Sequence, residues 1–356
     1  MSNNNYCIIL AGGKGVNFWP YSRESYPKQF LDFFGTGESL LQQTYNNIGQ
    51  IIPEDQIFVV TNKRYEYLVK DQIPQIHPDN LLLEPLDRNT LPSAAWGCYH
   101  IYTVNPDANI LILSCDQIIL KEERFKEAVL QSLDFTEKNK WIVAFALKPT
   151  RPETECGYIQ ISDERVNDHF FKAKSYTKNP ERDFAKMFLQ SDEFYWYTSM
   201  LAGNCRTWMK SLAHFIPDVL DKLEKQPVLT KEKMVEVFYS YSPNLSIDRA
   251  LLENPQNICV MPGNFGWARV SSWQSVYEIA PKDRDENVTQ RTRTLMYNSH
   301  QNVVLLPKGK LAVIQDLNGY LIAEKDNVLV ICKKNDDRCI RKFVNDAQVK
   351  LGNEYL

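Results

Sequence analysis

Near its beginning the chain reads Leu10-Ala-Gly-Gly-Lys-Gly-Val-Asn-Phe-Trp-Pro20 and, a few residues later, Tyr26-Pro-Lys-Gln-Phe-Leu31. The apolar run Tyr6–Ala11, which overlaps the start of this stretch, predicts the first strand of the fold. The glycines therefore fall where that strand ends, which is where open α/β sheets bind their ligands.

The residue types of this loop suit a bound phosphate chain. Gly12, Gly13 and Gly15 allow a tight turn that points backbone N–H groups at an anion, and Lys14 and Lys28 supply charge. A plain strand-to-loop turn is the alternative interpretation. The pattern differs from the two common phosphate loops. A dinucleotide fingerprint needs glycine where Phe18 stands and an acid after the second strand, and the Walker A sequence is absent.

Further along, short apolar runs alternate with amphipathic stretches, which predicts a mostly parallel, doubly wound sheet with helices on both faces. The predicted strands are Tyr6–Ala11, Ile57–Val60, Leu81–Leu83, Asn109–Leu113 and Trp141–Leu147. The predicted helices between them are Ser39–Ile48, Thr90–Val104 and Lys121–Asn139.

The pattern changes towards the end of the chain. Residues 150–280 mix strands with helices and continue the first domain, which we predict to span residues 1–285. Residues 286–356 form a second, small β domain that ends in a helix near Arg338–Leu351. Its predicted strands are Val303–Leu306, Leu311–Ile314, Tyr320–Ala323 and Val328–Ile331.

Composition excludes several classes of protein. The 356 residues include 41 Lys+Arg and 44 Asp+Glu, a net charge of −3, so no general basic field favours nucleic acid. The longest apolar run, Trp141–Leu147, is far shorter than the roughly 20 residues that cross a bilayer. The eight cysteines form no CxxC pair and no signal peptide is evident, so we expect reduced thiols, no membrane partner and a cytoplasmic location.

The string LAGGKGVNFWPYSRESYPKQFL resembles the signature of sugar-nucleotide pyrophosphorylases, in particular the mannose-1-phosphate guanylyltransferase family. Further matches follow in order along nearly the whole chain. They are Leu83-Glu-Pro-Leu-Asp-Arg-Asn-Thr90, Ser114-Cys-Asp-Gln117, Pro149-Thr-Arg-Pro-Glu-Thr154, Gly157-Tyr-Ile159, Lys178, Ser246-Ile-Asp-Arg-Ala250 and Phe265-Gly-Trp267. The resemblance implies transfer of a guanylyl group from GTP to mannose-1-phosphate, giving GDP-mannose and pyrophosphate. It also implies a Rossmann-like nucleotidyltransferase domain with a mostly parallel mixed sheet, a β-helix-like C-terminal domain and a homodimer.

The same resemblance assigns site residues. On the nucleotide side it implies Gly12, Gly13, Gly15, Glu84, Arg88 and Asn89, although a surface ion pair is the alternative for Arg88. Lys28 faces the pyrophosphate, and Asp116 is the magnesium ligand because it follows a central strand; a helix cap is its alternative. Gly157, Thr177, Lys178 and Tyr197 match the sugar-phosphate side.

Several of these positions depart from the family pattern. Asn17 replaces an arginine of the glycine loop, and Thr177 and Tyr197 replace a carboxylate and an amide of the sugar side. Arg269 stands in place of the second magnesium carboxylate, where it opposes the metal, holds phosphate oxygens itself or turns into solvent. Magnesium binding is therefore expected to be weakened or absent.

Two functions fit this pattern. The first is an active mannose-1-phosphate guanylyltransferase in which Lys28, Asp116, Asn17 and Arg269 are the catalytic positions. The second is a catalytically impaired homologue that binds nucleotide or nucleotide-sugar as a regulatory or scaffold subunit. A thymidylyl- or uridylyltransferase fits less well, because Leu83-Glu-Pro and Arg88-Asn-Thr90 follow the guanylyl pattern.

Overall fold

The computed structural model describes residues 4–225, 230–289 and 292–356. Its strands, numbered in chain order, are β1 Asn5–Leu10, β2 Ile57–Asn62, β3 Leu81–Glu84, β4 Asn109–Ser114, β5 Gln117–Ile119, β6 Ile142–Leu147, β7 Gly157–Arg165, β8 Phe171–Thr177, β9 Phe194–Asn204, β10 Ile258–Gly263, β11 Trp267–Arg269, β12 Arg293–Tyr297, β13 Val303–Leu305, β14 Leu311–Gln315, β15 Tyr320–Lys325 and β16 Val328–Lys333. Its α-helices are α1 Leu40–Gly49, α2 Glu66–Gln72, α3 Thr90–Val104, α4 Glu122–Lys138, α5 Arg182–Gln190, α6 Cys205–Ala213, α7 Pro217–Glu224, α8 Lys231–Tyr241, α9 Ile247–Leu252, α10 Trp273–Ile279 and α11 Asp337–Leu351.

The chain forms two compact units, and neither is one continuous segment. Unit 1 contains residues 1–12, 44–115 and 119–267, and unit 2 contains residues 13–43, 116–118 and 268–356. The domain boundary expected at residue 285 stays a prediction. By packing, the C-terminal strands group with residues 13–43 and with the segment from residue 268 onwards.

Unit 1 is built on a nine-stranded sheet in the order β3-β2-β1-β4-β9-β6-β10-β8-β7. Strands β3, β2, β1 and β4 pair in parallel, and β10 pairs in parallel with β6. Strand β9 lies antiparallel between β4 and β6, so the sheet is mixed, as expected. The sheet confirms an α/β architecture with its first strands wound in parallel.

The central strands are short and buried on both faces, which explains their unbroken apolar sequence. Ile8 packs in one core cluster with residues of α3, while its neighbours Cys7 and Ile9 on the other face are equally buried. Helix α3 approaches β1 closely, because a Cβ added at Gly97 would lie 2.8 Å from Ile8 Cδ1. A side chain at Gly97 would therefore displace the side chain of Ile8.

Unit 2 contains the small C-terminal strands. Strand β12 pairs in parallel with β14 and β13 with β15, while β16 closes the second sheet antiparallel to β15. Two fully buried asparagines are hydrogen-bonded to each other beside these strands: Asn302 Nδ2 donates to Asn287 Oδ1 at 3.0 Å. Helix α11 follows these strands where a final helix was predicted. The C-terminal strands and the final helix are present as predicted, whereas a separate domain of β-helix form stays a prediction.

The aromatic residues from Phe194 to Tyr197 form the first part of β9. Trp196 and Tyr197 are buried in the core. Within the described residues, no helix combines the length and the apolar character that crossing a bilayer demands.

Candidate functional site

The glycine loop in unit 2 has the backbone conformation that its sequence requires. Gly13 has φ 91° and Gly15 has φ 61°, a left-handed region that favours glycine. A side chain at Gly15 would also collide with its neighbours, because an added Cβ would lie 2.6 Å from Ser22 Oγ and 2.8 Å from Lys28 Cβ. Gln29 Nε2 donates to the Gly13 carbonyl at 3.2 Å. The motif around Lys28 thus packs directly under the loop and fixes its shape.

A cluster of opposite charges lies beside this loop. Lys28 Nζ donates to Asp116 Oδ2 at 2.8 Å and to the Val270 carbonyl at 3.1 Å. Arg269 Nε lies 3.5 Å from the same carboxylate oxygen. The backbone supports the arrangement, because Val270 N donates to the Asp116 carbonyl at 2.8 Å. We call Lys28, Asp116 and Arg269 the charge cluster.

The charge cluster is partly shielded from water. The side chains are 16% exposed for Lys28, 10% for Asp116 and 37% for Arg269. Two cations face one carboxylate, so the cluster has an excess of positive charge that suits an anion. The other lysine of the loop, Lys14, is exposed and pairs with Glu24.

The residues around Asp116 do not fit the magnesium ion that the family resemblance implies. Lys28 and Arg269 both contact Asp116 Oδ2, so a dication at this carboxylate would lie next to two positive groups. A guanidinium about 4 Å from a dication is repelled by roughly 8 kcal/mol at an effective dielectric of 20. Among the residues that the structure describes, no group of three or more His, Cys, Asp or Glu side chains could hold a metal.

Asn17, the remaining predicted catalytic position, is bonded to the C-terminal part of unit 2. Its Nδ2 donates to the Ser271 carbonyl at 3.2 Å and to Asp337 Oδ2 at 3.4 Å, and its Oδ1 accepts from Arg341 Nε at 2.9 Å. Sequence analysis missed Asp337 and Arg341, since both lie on a helix more than 300 positions away in a segment with no motif.

In unit 1 a second carboxylate, Glu84, is buried at the end of β3. Its Oε1 accepts hydrogen bonds from Ser93 Oγ at 2.5 Å and from Tyr239 Oη at 2.7 Å. Burial raises the pKa of Glu84 to about 7, and the two hydrogen bonds offset part of that rise. The other oxygen faces the backbone, because a Cβ at Gly12 would lie 3.6 Å from Oε2. Ser93 and Tyr239 belong to no motif, so nothing in the sequence pointed to either.

The two residues that follow Glu84 in its motif differ in role. Asn89 caps α3, with its side-chain oxygen accepting from Thr90 N at 2.9 Å, and its φ of 67° places it in the left-handed region. Arg88 is half-buried and forms no ion pair within the described residues, so the surface ion pair considered for it is not observed. Its guanidinium is available to an anionic ligand.

The predicted sugar-phosphate residues lie on β7, β8 and β9 of the unit 1 sheet or directly after β8. Gly157 on β7 is opposite Tyr197 on β9, and Thr177 on β8 is opposite Tyr158 on β7. Tyr176 and Tyr197 meet edge to face with their ring centroids 5.8 Å apart. The structure brings Gly157, Thr177 and Tyr197 together around these pairings, and Lys178 is exposed just after β8 ends.

Comparison with known proteins places this arrangement in a family. The model of the nucleotidyl transferase family matches residues 6–286. A relative named mannose-1-phosphate guanylyltransferase 2, from Escherichia coli O157:H7, is 30% identical over 98% of this chain and 74% of its own length. The chain belongs to the mannose-1-phosphate guanylyltransferase family of nucleotidyl transferases.

Other members of this family agree. The mannose-1-phosphate guanylyltransferase of Salmonella muenchen is 29% identical over 98% of this chain and 74% of that protein. A crystal structure described as mannose-1-phosphate geranyltransferase from Thermus thermophilus superposes with a TM-score of 0.83 at 25% identity, covering 97% of this chain and 99% of that one. The resemblance seen in the sequence motifs is therefore confirmed at the level of family and fold.

Proposed function

We propose that the protein transfers the guanylyl group of GTP to mannose-1-phosphate, forming GDP-mannose and pyrophosphate. A phosphate oxygen of mannose-1-phosphate attacks the α-phosphorus of GTP. The bond from that phosphorus to the bridging α–β oxygen breaks, and pyrophosphate leaves with the electron pair. The observation that carries this proposal is the charge cluster beside the glycine loop, in a chain of this family.

The cluster supplies what phosphoryl transfer needs most. Both substrates are anions, so catalysis depends on positioning and on neutralising charge in the transition state. Lys28 is assigned to the leaving pyrophosphate and Arg269 to oxygens of the same phosphate chain, where its planar fork can hold them without a metal. Asp116 keeps both cations in place. Backbone N–H groups of the loop around Gly13 and Gly15 complete the phosphate contacts.

The residues of unit 1 are assigned to the remaining parts of the substrates. Glu84, Arg88 and Asn89 are assigned to the nucleotide side, with Asn89 acting through its cap of α3. Gly157, Thr177, Lys178 and Tyr197 are assigned to the sugar phosphate, and Lys178 is their cation. A magnesium ion has no role at Asp116 in this proposal.

The test is pyrophosphate release from GTP and mannose-1-phosphate, measured with magnesium varied and in the presence of a chelator. Turnover that stops when Lys28 is replaced by Gln, but survives Lys14→Gln, supports the proposal. Lys14 is the matched control because it lies on the same loop but pairs with Glu24. Binding of GTP without turnover, across several sugar phosphates, would favour the alternative of a regulatory subunit.

We further propose a cytoplasmic homodimer. All eight cysteines are free thiols, which suits a reducing compartment. The outer face of β12 and β14 exposes apolar side chains, a feature typical of protein interfaces. They are Leu295 (47%), Tyr297 (55%), Leu311 (57%) and Val313 (62%). Light scattering tests this: Val313→Glu should give monomers, whereas Val349→Glu, at an exposed position on α11, should leave the mass unchanged.

A further inference from the structure

The C-terminal helix places an arginine on the glycine loop. Arg341, on α11, donates from Nε to the side-chain oxygen of Asn17 at 2.9 Å, although 324 positions separate the two residues. Asn17 lies two residues after Gly15, in the short 3-10 turn Val16–Phe18. Arg341 therefore lies at the glycine loop, although the sequence of the loop itself gives no sign of this arginine.

The contact between helix and loop is fixed from both sides. Asn17 is held by the Ser271 carbonyl and by Asp337 on the first turn of α11. Ile340, next to Arg341, is 2% exposed and belongs to the same core cluster as Phe18. The loop and the helix thus share a packed core, and the base of the Arg341 side chain cannot drift from the loop.

The guanidinium of Arg341 is oriented with its outer edge available. Its Nε is used by Asn17, while its two terminal nitrogens make no hydrogen bond to any residue that the structure describes. The side chain is exposed to solvent. A guanidinium held through Nε with both terminal nitrogens open has the geometry for bidentate contact with two phosphate oxygens.

The loop itself lacks a cation of this kind. Lys14 pairs with Glu24, and Lys28, which contacts Asp116 and the Val270 carbonyl, offers an ammonium rather than a planar guanidinium. Asp337 beside Asn17 contributes negative charge, but it bonds to the amide that anchors Arg341 and so helps to orient it.

We propose that Arg341 binds the polyphosphate tail of the nucleotide, so that the C-terminal helix supplies a cationic ligand of the glycine loop. This deepens the proposed function and rests on it. Losing one charged hydrogen-bonding group typically weakens binding roughly 10- to 100-fold. Arg341 is then a binding residue for the triphosphate, and Asn17 is the residue that positions it.

Calorimetry with GTP and with inorganic pyrophosphate tests the assignment. Arg341→Ala should weaken both ligands roughly 10- to 100-fold, with Arg341→Lys between it and the unmodified protein. Lys342→Ala removes the same charge from the next, equally exposed position and should change neither affinity. Equal behaviour of the Arg341→Ala and Lys342→Ala variants would overturn the proposal.

A relocation experiment separates phosphate binding from a purely structural link between helix and loop. The double variant Asn17→Arg with Arg341→Ala places a guanidinium on the loop itself. On a logarithmic scale, it should recover at least about half of the GTP affinity that Arg341→Ala loses. If Arg341→Ala lowers the thermal midpoint and the double variant recovers no affinity for GTP, Arg341 only holds the helix against the loop. That result overturns the inference. If the unmodified protein releases pyrophosphate and the Arg341→Ala variant is equally active, this inference alone is refuted. If the unmodified protein does not bind GTP, both the inference and the proposed function are refuted.

Discussion

Each unit contains a buried carboxylate, and the two carboxylates have opposite kinds of partner. Glu84 in unit 1 accepts hydrogen bonds from two neutral hydroxyls, and its burial raises its pKa to about 7. Asp116 in unit 2 is contacted by the ammonium of Lys28 and the guanidinium of Arg269. Neutral partners leave the charge of a carboxylate sensitive to pH, whereas cationic partners use that charge to fix two positive groups in place.

The largest expected effect comes from removing a cation next to Asp116. Lys28→Gln removes the group assigned to the leaving pyrophosphate, and we expect kcat/KM to fall about 10²- to 10³-fold. Steady-state pyrophosphate release measures it. The Lys14→Gln variant should keep activity within about threefold, since that lysine is exposed and pairs with Glu24. A Lys28→Gln variant as active as Lys14→Gln would show that the cluster only stabilises the fold.

The buried Glu84 predicts a pH dependence of stability. Its pKa is about 7 in the folded protein and near 4.5 when exposed, so folding favours its protonated form. The contribution of Glu84 to the free energy of unfolding is therefore complete below pH 4.5 and is lost as pH rises through 7. Over that interval the loss amounts to about 3 kcal/mol in the free energy of unfolding.

Urea unfolding at about pH 5 and about pH 8 measures this contribution. Glu84→Gln, which stays neutral, should flatten the pH dependence relative to the unmodified protein. Glu253→Gln is the control, because Glu253 is exposed and pairs with Arg249 on the surface. If the free energy of unfolding depends equally on pH in the Glu84→Gln and Glu253→Gln variants, the prediction is wrong. The hydroxyls of Ser93 and Tyr239 would then stabilise the charged form of Glu84 enough to cancel the effect of burial.

The smallest effect concerns the metal. We expect GTP affinity of the unmodified protein to change less than about tenfold when a chelator replaces magnesium, because Arg269 occupies the position beside Asp116. Arg269→Asp should make GTP binding depend on magnesium, as the second carboxylate then offers a dication a site. Calorimetry at both conditions measures it. Strong magnesium dependence in the unmodified protein would contradict the assignment of Arg269 to phosphate.

Sequence predicted those parts of the fold that local physics determines. The central strands are short, largely apolar and buried, and the predicted helix Thr90–Val104 begins where α3 does because Asn89 caps it. The sequence pattern predicts a strand over Ser199–Cys205, whereas β9 already begins at Phe194. Strand β12 was missed, since it is short and follows a charged and polar stretch that resembles a linker.

The candidate site divides in the same manner. Lys28, Asp116 and the glycines were found because each belongs to a short motif next to a strand end. Tyr239 and Arg341 were not, because their partners lie 155 and 324 positions away and only tertiary packing brings them together. Arg269 was noticed as a departure from the family pattern, but its contact with Asp116 could only be seen in three dimensions.

The core shared by Phe18, Phe33, Trp273 and Ile340 has a consequence for synthesis of the chain. The glycine loop leaves the ribosome more than 300 residues before α11, so its aromatic side chains stay partly uncovered until that helix has been made. A nascent chain interrupted near residue 285 would carry the loop with that apolar surface open, a state prone to aggregation. The core around the glycine loop is therefore complete only after α11 has been synthesised.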